Sequence, residues 1–173
     1  MTIDAYLSLG SNIAPRFEIL QCAIEALHFL PDSGVELVSS IYETEAVSPY
    51  PQADYLNCVA HIKTELTPEA LLTSCREIEF SNGRPVSRNK SAPRTLDVDI
   101  IFYGARIINS GKLIVPHARY ANRRFVLEPL AEIAPDYICP DTGTSVAHTL
   151  DQCTDRSRVQ LFSLEIVGRT STM

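Results

Sequence analysis

Apolar residues change their spacing along this chain, and the order of those changes limits the folds open to it. Over residues 5–9 they alternate, with Ala5, Leu7 and Leu9 on one side and Tyr6 and Ser8 on the other, the period of a strand. Gly10, Ser11 and Asn12 read as a sharp turn. Pro15 suits the first turn of a helix, and Leu20, Ala23, Ile24 and Leu27 then recur at helical spacing. The Pro-Asp-Ser-Gly run at 31–34 ends that helix. A second strand is expected over 35–44 and a third over 55–64, with Leu56, Cys58, Ala60 and Ile62 on the core face. Thr67-Pro68 pairs an N-cap with a proline at the first helical position. Leu71, Cys75 and Ile78 share one face of that helix, and Asn82-Gly83 stops it. A fourth strand is expected over 96–103. Its second half, residues 100–103, is continuously apolar, which predicts a central place in the sheet.

The resulting order, β-α-β-β-α-β, predicts an α+β fold of the ferredoxin-like kind, an antiparallel sheet with two helices packed on one face. A chain of 173 residues suits one domain with one sizeable core. Residues 107–141 add short elements of unassigned type, and residues 156–173 read as a weakly patterned tail.

Composition removes several classes of function. The net charge of −6 argues against an electrostatic nucleic-acid surface, which needs an excess of Lys and Arg on one face. The five cysteines are odd in number and include no C-x-x-C pair, so neither a disulfide frame nor a zinc site is indicated, and a reduced, cytoplasmic setting is expected. The first residues carry no basic-then-apolar leader, and no apolar run reaches the ~18 residues of a membrane span. Neither G-x-x-x-x-G-K-[ST] nor G-x-G-x-x-G occurs, so no glycine cradle holds a nucleotide.

Chemistry concentrates in APRTLDVDI, residues 92–100. Asp97 and Asp99 are spaced i, i+2 on a strand, so both face one way while Val98 and Ile100 face the other. Such a pair suits Mg²⁺, which takes few carboxylates and completes its shell with water and substrate phosphates. Two ions bridging phosphate oxygens would stabilise in-line displacement. Arg94 precedes the pair, and Arg84, Arg88 and Lys90 crowd the loop before it in an otherwise acidic chain. Those cations suit phosphate neutralisation. Tyr55 and Asn57, again i, i+2, offer a stacking ring and an amide with donor and acceptor together.

KSAPRTLDVDII, residues 90–101, resembles the signature of 6-hydroxymethyl-7,8-dihydropterin pyrophosphokinases: a basic residue, a small residue, Pro-Arg, two spacers, Asp-aliphatic-Asp and two aliphatics. LSLGSN (7–12), SSIYETEAV (39–47), DYLN (54–57) and VPHARYANRRFVLEPLAEIAP (115–135) also resemble family segments, and the likeness extends over roughly residues 3–154. The resemblance implies transfer of pyrophosphate from ATP to the hydroxymethyl oxygen of the pterin, releasing AMP, within a single domain over 1–155. It implies two Mg²⁺ ions on Asp97 and Asp99, with Arg84 and Arg94 completing the catalytic set. It implies a pterin pocket of Thr44, Val47, Tyr55, Asn57 and Phe125, and ATP contacts from Glu79, Arg84, Arg88, Arg94, Ile100, Lys112, His117 and Arg123. Small-molecule substrates, a monomer and no nucleic-acid or membrane partner complete the picture. Departures from the family pattern fall at Ala46, Ser48, Ser91, Lys112, Ile114 and Ala118, and the chain has no tryptophan.

For Gly10 and Asn12 the residues themselves favour a plain turn, and for Glu79 a solvated helix carboxylate remains a rival. Two other functions stay open: a ferredoxin-like binding module without catalysis, and an ordinary kinase that uses the same carboxylates and releases ADP.

Overall fold

The computed structural model describes residues 1–84 and 92–163. Its elements are β1 (Ile3–Ser11), α1 (Arg16–His28), β2 (Ser33–Val38), β3 (Ile41–Thr44), β4 (Tyr55–Thr64), α2 (Pro68–Ser81), β5 (Asp97–Tyr103), the short pair β6 (Ile108–Asn109) and β7 (Ile114–Val115), α3 (Arg124–Ile133), α4 (Val146–Asp151) and β8 (Val159–Ser163). The main sheet runs β5-β1-β4-β3-β8, with β2 also paired to β4, and each pairing is antiparallel. Counted by the four expected strands, that is the order fourth, first, third, second, as a βαββαβ chain requires.

Local rules explain most boundaries. Thr67 Oγ1 accepts the Ala70 N–H at 3.2 Å, and Pro68 opens α2. Gly83 stands at φ 80°, where an L side chain is strained, and it ends that helix. The strand expected over 35–44 is split. Ser39 Oγ accepts the Val59 N–H at 2.9 Å, and Ser40 gives its N–H to Glu132 at 2.9 Å. These side chains replace ladder bonds and divide the strand into β2 and β3.

Two cores lie on opposite faces of the sheet. Leu7, Leu9, Cys58 and Ile62 meet Leu20 and Leu27 of α1 and Leu71 and Cys75 of α2 on one face. Tyr6, Val59 and Phe102 meet Val126, Leu127 and Leu130 of α3 and Val146 of α4 on the other. The second layer goes beyond the two helices expected on one face. Its helix α3 contains Pro129, which cannot donate to the Phe125 carbonyl, and this disguised the segment in sequence.

β5 is not central. Among the described strands it pairs only with β1 and forms one end of the main sheet. It is apolar on both faces because each face meets a core, with Val98 and Ile100 toward α1 and α2 and Ile101 and Phe102 toward α3. A register shift between Tyr6 and Leu7 lets Ile101 and Phe102 turn to the same side. The outer edge is partly covered, since His117 donates its N–H to the Ile101 carbonyl at 3.0 Å. Part of the supposed tail is also ordered: β8 pairs with β3 from Thr44↔Val159 to Ile41↔Ser163. Cys58, Cys75, Cys139 and Cys153 are buried free thiols and Cys22 is exposed. Burial pushes Cys58 and Cys75 up to about 12, which leaves them protonated at neutral pH.

Phe102 is fully buried, with Tyr120 at 5.0 Å and Tyr137 at 4.9 Å between ring centroids. Phe102→Ala is expected to cost about 3–5 kcal/mol in urea unfolding, because the α3 layer cannot collapse into the space.

Candidate active site

Burial of Val98 and Ile100, 4% and 3% exposed, forces Asp97 and Asp99 to the opposite face of β5. In register, Asp97 lies across from Gly10, and Gly10 lies across from Asn57; Asp99 lies across from Ser8. These rows floor a cavity of about 1070 Å³. Gly10 is a strand residue, not part of the expected turn. Space is the reason for glycine here: a Cβ built on it would stand 2.5 Å from Asn57 Oδ1. Asn12, also read as a turn residue, is 4% exposed and joins three segments. Its Oδ1 accepts the Arg94 N–H at 2.8 Å, and its Nδ2 donates to Gln52 Oε1 and the Ala53 carbonyl, each at 3.1 Å.

The cations are distributed unevenly over the two aspartates. Arg94 Nη1 lies 2.9 Å from Asp97 Oδ2, and Arg84 Nη1 lies 3.1 Å from Asp97 Oδ1. Among the described residues Asp99 meets only longer contacts, His117 Nε2 at 3.8 Å and Arg123 Nη1 at 3.9 Å, and its carboxylate accepts no hydrogen bond from them. Burial, followed by repulsion from Asp97, pushes Asp99 up to about 6 against the pull of Arg123, Arg94 and Arg84.

Glu79 is not a solvated helix carboxylate. It is 6% exposed, accepts the Val98 N–H at 2.8 Å and pairs with Arg84. It ties α2 to β5 and aims Arg84 at Asp97. Burial pushes its pKa up, and the Val98 N–H and Arg84 only partly offset this.

On the expected pterin side, Thr44 and Asn57 are 2% and 3% exposed, and Asn57 Nδ2 donates to Thr44 Oγ1 at 2.7 Å. That bond fixes the amide plane and leaves Oδ1 facing Gly10. Tyr55 lies across the β3–β4 ladder from Thr44, Val47 stands at the exposed rim, and Phe125 enters from α3 with the Arg123 guanidinium 5.4 Å from its ring centroid. All five border the cavity.

On the expected nucleotide side, Lys112 follows β6, and His117 and Arg123 precede α3; these also border the cavity, with Glu79, Arg84, Arg94 and Ile100. Ile100 offers little surface because it packs into the α1/α2 core. The adjacent arginines separate: Arg123 turns to Asp99, whereas Arg124 pairs with Glu128 at 2.8 Å. Arg88, Lys90 and Ser91 lie outside the described residues. Arg76, Arg119 and Asp155 border the cavity without having been singled out. No spacing rule pointed to them, since they come to the site only through packing of α2, the 116–123 segment and the C-terminal chain. Among the described residues no third His, Cys, Asp or Glu joins the two aspartates in a metal-holding group.

His117 is held neutral. Burial, then the positive charges of Arg123 and Arg119, lower it to about 4. Its Nδ1 accepts the Arg119 N–H at 3.2 Å, which assigns the ring proton to Nε2, toward Asp99. Between about pH 6.5 and 4 the unfolded chain binds a proton at this histidine that the folded chain refuses, so stability from this group falls as pH falls. His117→Gln is therefore expected to flatten the acid side of the melting-temperature profile, measured as the difference from wild type at each pH. An unchanged difference would mean that His117 accepts a proton in place.

The chain is similar to known proteins in sequence and in fold. Residues 6–135 match the family described as 7,8-dihydro-6-hydroxymethylpterin-pyrophosphokinase. A Haemophilus influenzae 2-amino-4-hydroxy-6-hydroxymethyldihydropteridine pyrophosphokinase is 38% identical over 159 residues, covering 92% of this chain and 98% of that protein. A Bacillus subtilis protein of the same name is 45% identical over 129 residues, covering 75% of this chain and 77% of its own. A Plasmodium falciparum HPPK-DHPS crystal structure with pteroate superposes with a TM-score of 0.70 at 16% identity, over 87% of this chain and 42% of that chain. This chain thus spans less than half the length of that solved chain, and the likeness there is one of fold. The match over residues 6–135, together with relatives 38–45% identical, means that the chain belongs to the 7,8-dihydro-6-hydroxymethylpterin-pyrophosphokinase family.

Proposed function

We propose that Asp97 and Asp99 hold two Mg²⁺ ions against the phosphates of ATP, while Thr44, Val47, Tyr55, Asn57 and Phe125 receive the pterin. The reaction is that of the family: pyrophosphate passes from ATP to 6-hydroxymethyl-7,8-dihydropterin in folate biosynthesis, giving the pterin diphosphate and AMP. One observation carries the reading. The row Asp97–Gly10–Asn57 sets a carboxylate and a buried amide on one floor, so phosphate chemistry and pterin recognition share a cavity.

The donor set fits magnesium. Asp97 and Asp99 repel each other, and Asp99 lacks a hydrogen-bond donor among the described residues, which is the need a hard cation meets. Bound there, Mg²⁺ would act as a Lewis acid on the phosphoryl oxygens. The rest falls to the protein. Arg84 and Arg94, now shared with Asp97, and Arg123 beside Asp99 face the region where triphosphate charge would lie. Arg88, from its place in the sequence, and Lys112 add to that charge. Neutral His117 offers Nε2–H as a donor to the nucleotide, and Glu79 keeps Arg84 in place. Asn57 reads the pterin edge through Oδ1, and Tyr55 and Phe125 supply ring surfaces. No side chain is needed as general base in this reading, since charge stabilisation and positioning dominate phosphoryl transfer. The buried, unpaired thiols support a reducing, cytoplasmic setting, and no described helix is long and apolar enough to cross a membrane.

Product analysis with protein, Mg²⁺, ATP and the pterin tests the reading directly. AMP is expected only when the pterin is present; ADP would keep the carboxylate site and overturn the transfer. Asp97→Asn and Asp99→Asn are each expected to lose about 4 kcal/mol of transition-state stabilisation, about 1,000-fold in kcat, with melting temperature unchanged or raised. Gly10→Ala is expected to raise KM for the pterin about 10-fold while KM for ATP holds, because the new methyl displaces the Asn57 amide.

A further inference from the structure

The family-wide match ends at residue 135, although the likeness to the Haemophilus influenzae relative covers 92% of the chain, and beyond that residue the chain returns to the cavity: Thr154 and Asp155 border it. Asp155 reaches α3. Its Oδ2 accepts the N–H of Arg124 at 2.9 Å, the first residue of that helix, whose own N-cap, Arg123, provides no side-chain cap. Asp155 Oδ1 accepts the N–H and hydroxyl of Ser157 at 2.9 and 2.6 Å, so the carboxylate is fixed in direction. A carboxylate on an open helix N-terminus is favoured by the orphan N–H groups and the helix dipole. Although burial acts to raise it, the bonds from Ser157 and Arg124 hold the Asp155 carboxyl below its ordinary range. The residues beside Arg124 are Arg123 and Phe125, which face the expected nucleotide and pterin.

Three residues further on, the same segment grips the opposite wall. The Arg158 guanidinium pairs with Asp54, the residue before Tyr55. The Arg158 carbonyl accepts the N–H of Glu45, the residue after Thr44, at 3.2 Å. Arg16 reinforces this corner from α1, donating to the Asp54 carbonyl at 2.8 Å and to Glu43 at 2.7 Å. One five-residue stretch, 154–158, is therefore bonded both to the start of α3 and to the β3–β4 wall, the two sides that carry the expected pterin-pocket side chains.

We propose that residues 154–158 form a strap that sets the separation of the α3 wall from the β3–β4 wall, with Asp155 and Arg158 as positioning residues for the pterin; this rests on the pocket assignment above. Arg158 and Asp54 are 46% and 31% exposed, and an ion pair so exposed adds little to global stability. Its effect belongs in pocket geometry. The two residues also differ in reach: Arg158 holds only the Thr44/Tyr55 wall, whereas Asp155 sets the start of α3 and with it both Phe125 and Arg123.

The test uses full-length variants with KM for each substrate, kcat and melting temperature. Arg158→Ala is expected to raise KM for the pterin about fivefold, leaving KM for ATP and the melting temperature in place, and Arg158→Lys is expected to restore most of the loss. Asp155→Ala is expected to raise both KM values, and Asp155→Asn, which keeps an acceptor on Arg124, to restore them. An unchanged pterin KM in Arg158→Ala overturns the strap. So does a rise in both KM values that tracks a fall in melting temperature without rescue by lysine, since that is general loosening. Asn57→Ala separates the two levels. Loss of pterin affinity there with none in Arg158→Ala removes the strap and leaves the pocket. Full affinity in Asn57→Ala removes the pocket assignment and the strap with it.

Discussion

The site depends on the anchoring of one edge strand. Val98 and Ile100 bury against α1 and α2, at about 1.5–3 kcal/mol each by the usual transfer estimate, and strand alternation then commits Asp97 and Asp99 to the other face. Slipping β5 by one residue would send two carboxylates into an apolar core and expose two aliphatics. The register Leu9↔Val98 and Leu7↔Ile100 is thereby held by the core itself. Glu79 adds a polar tether on the same strand through the Val98 N–H.

An edge position gives these carboxylates room that a central strand would deny them. With only β1 beside it among the described strands, β5 leaves its outer side open to segments arriving from elsewhere: Arg84 from the end of α2, Arg94 from the strand's own approach, His117 and Arg123 from the chain before α3. The electrostatics are finely opposed. Glu79, Asp97 and Asp99 press together at a partly buried site, and burial raises Glu79 and Asp99. Arginines compensate Asp97 closely and Asp99 at longer range. The asymmetry leaves Asp99 the less well compensated carboxylate, and the same arginines line the cavity in which the proposed phosphates would lie.

The strand order, both major helices, the Thr67 cap of α2, and the faces of Leu7, Leu9, Cys58 and Ile62 were legible because each rests on neighbours near in sequence. Gly10 and Asn12 were misjudged for the opposite reason. Their constraint is contact with Asn57, Gln52 and Arg94, and a turn-like composition hides it. Continuous apolarity over residues 100–103 pointed to a central strand because a strand covered on both faces usually lies inside its sheet, whereas here α3 covers the second face of an end strand. A solvated Glu79 stayed a rival reading for want of any local sign that α2 turns it toward the Val98 N–H.

The sequence alone determined the alternation that sets Asp97 with Asp99 and Tyr55 with Asn57, since period-2 geometry is a property of the strand. It also determined the chemical kind of the site, carboxylates among arginines, and a signature specific enough to suggest the family. Only the tertiary structure decided that Gly10 brings these two pairs onto one floor, that Asp99 is less well compensated than Asp97, and that residues 154–158 bind both walls. Those features join residues tens of positions apart, and such contacts are set by packing of whole elements, which no local period records.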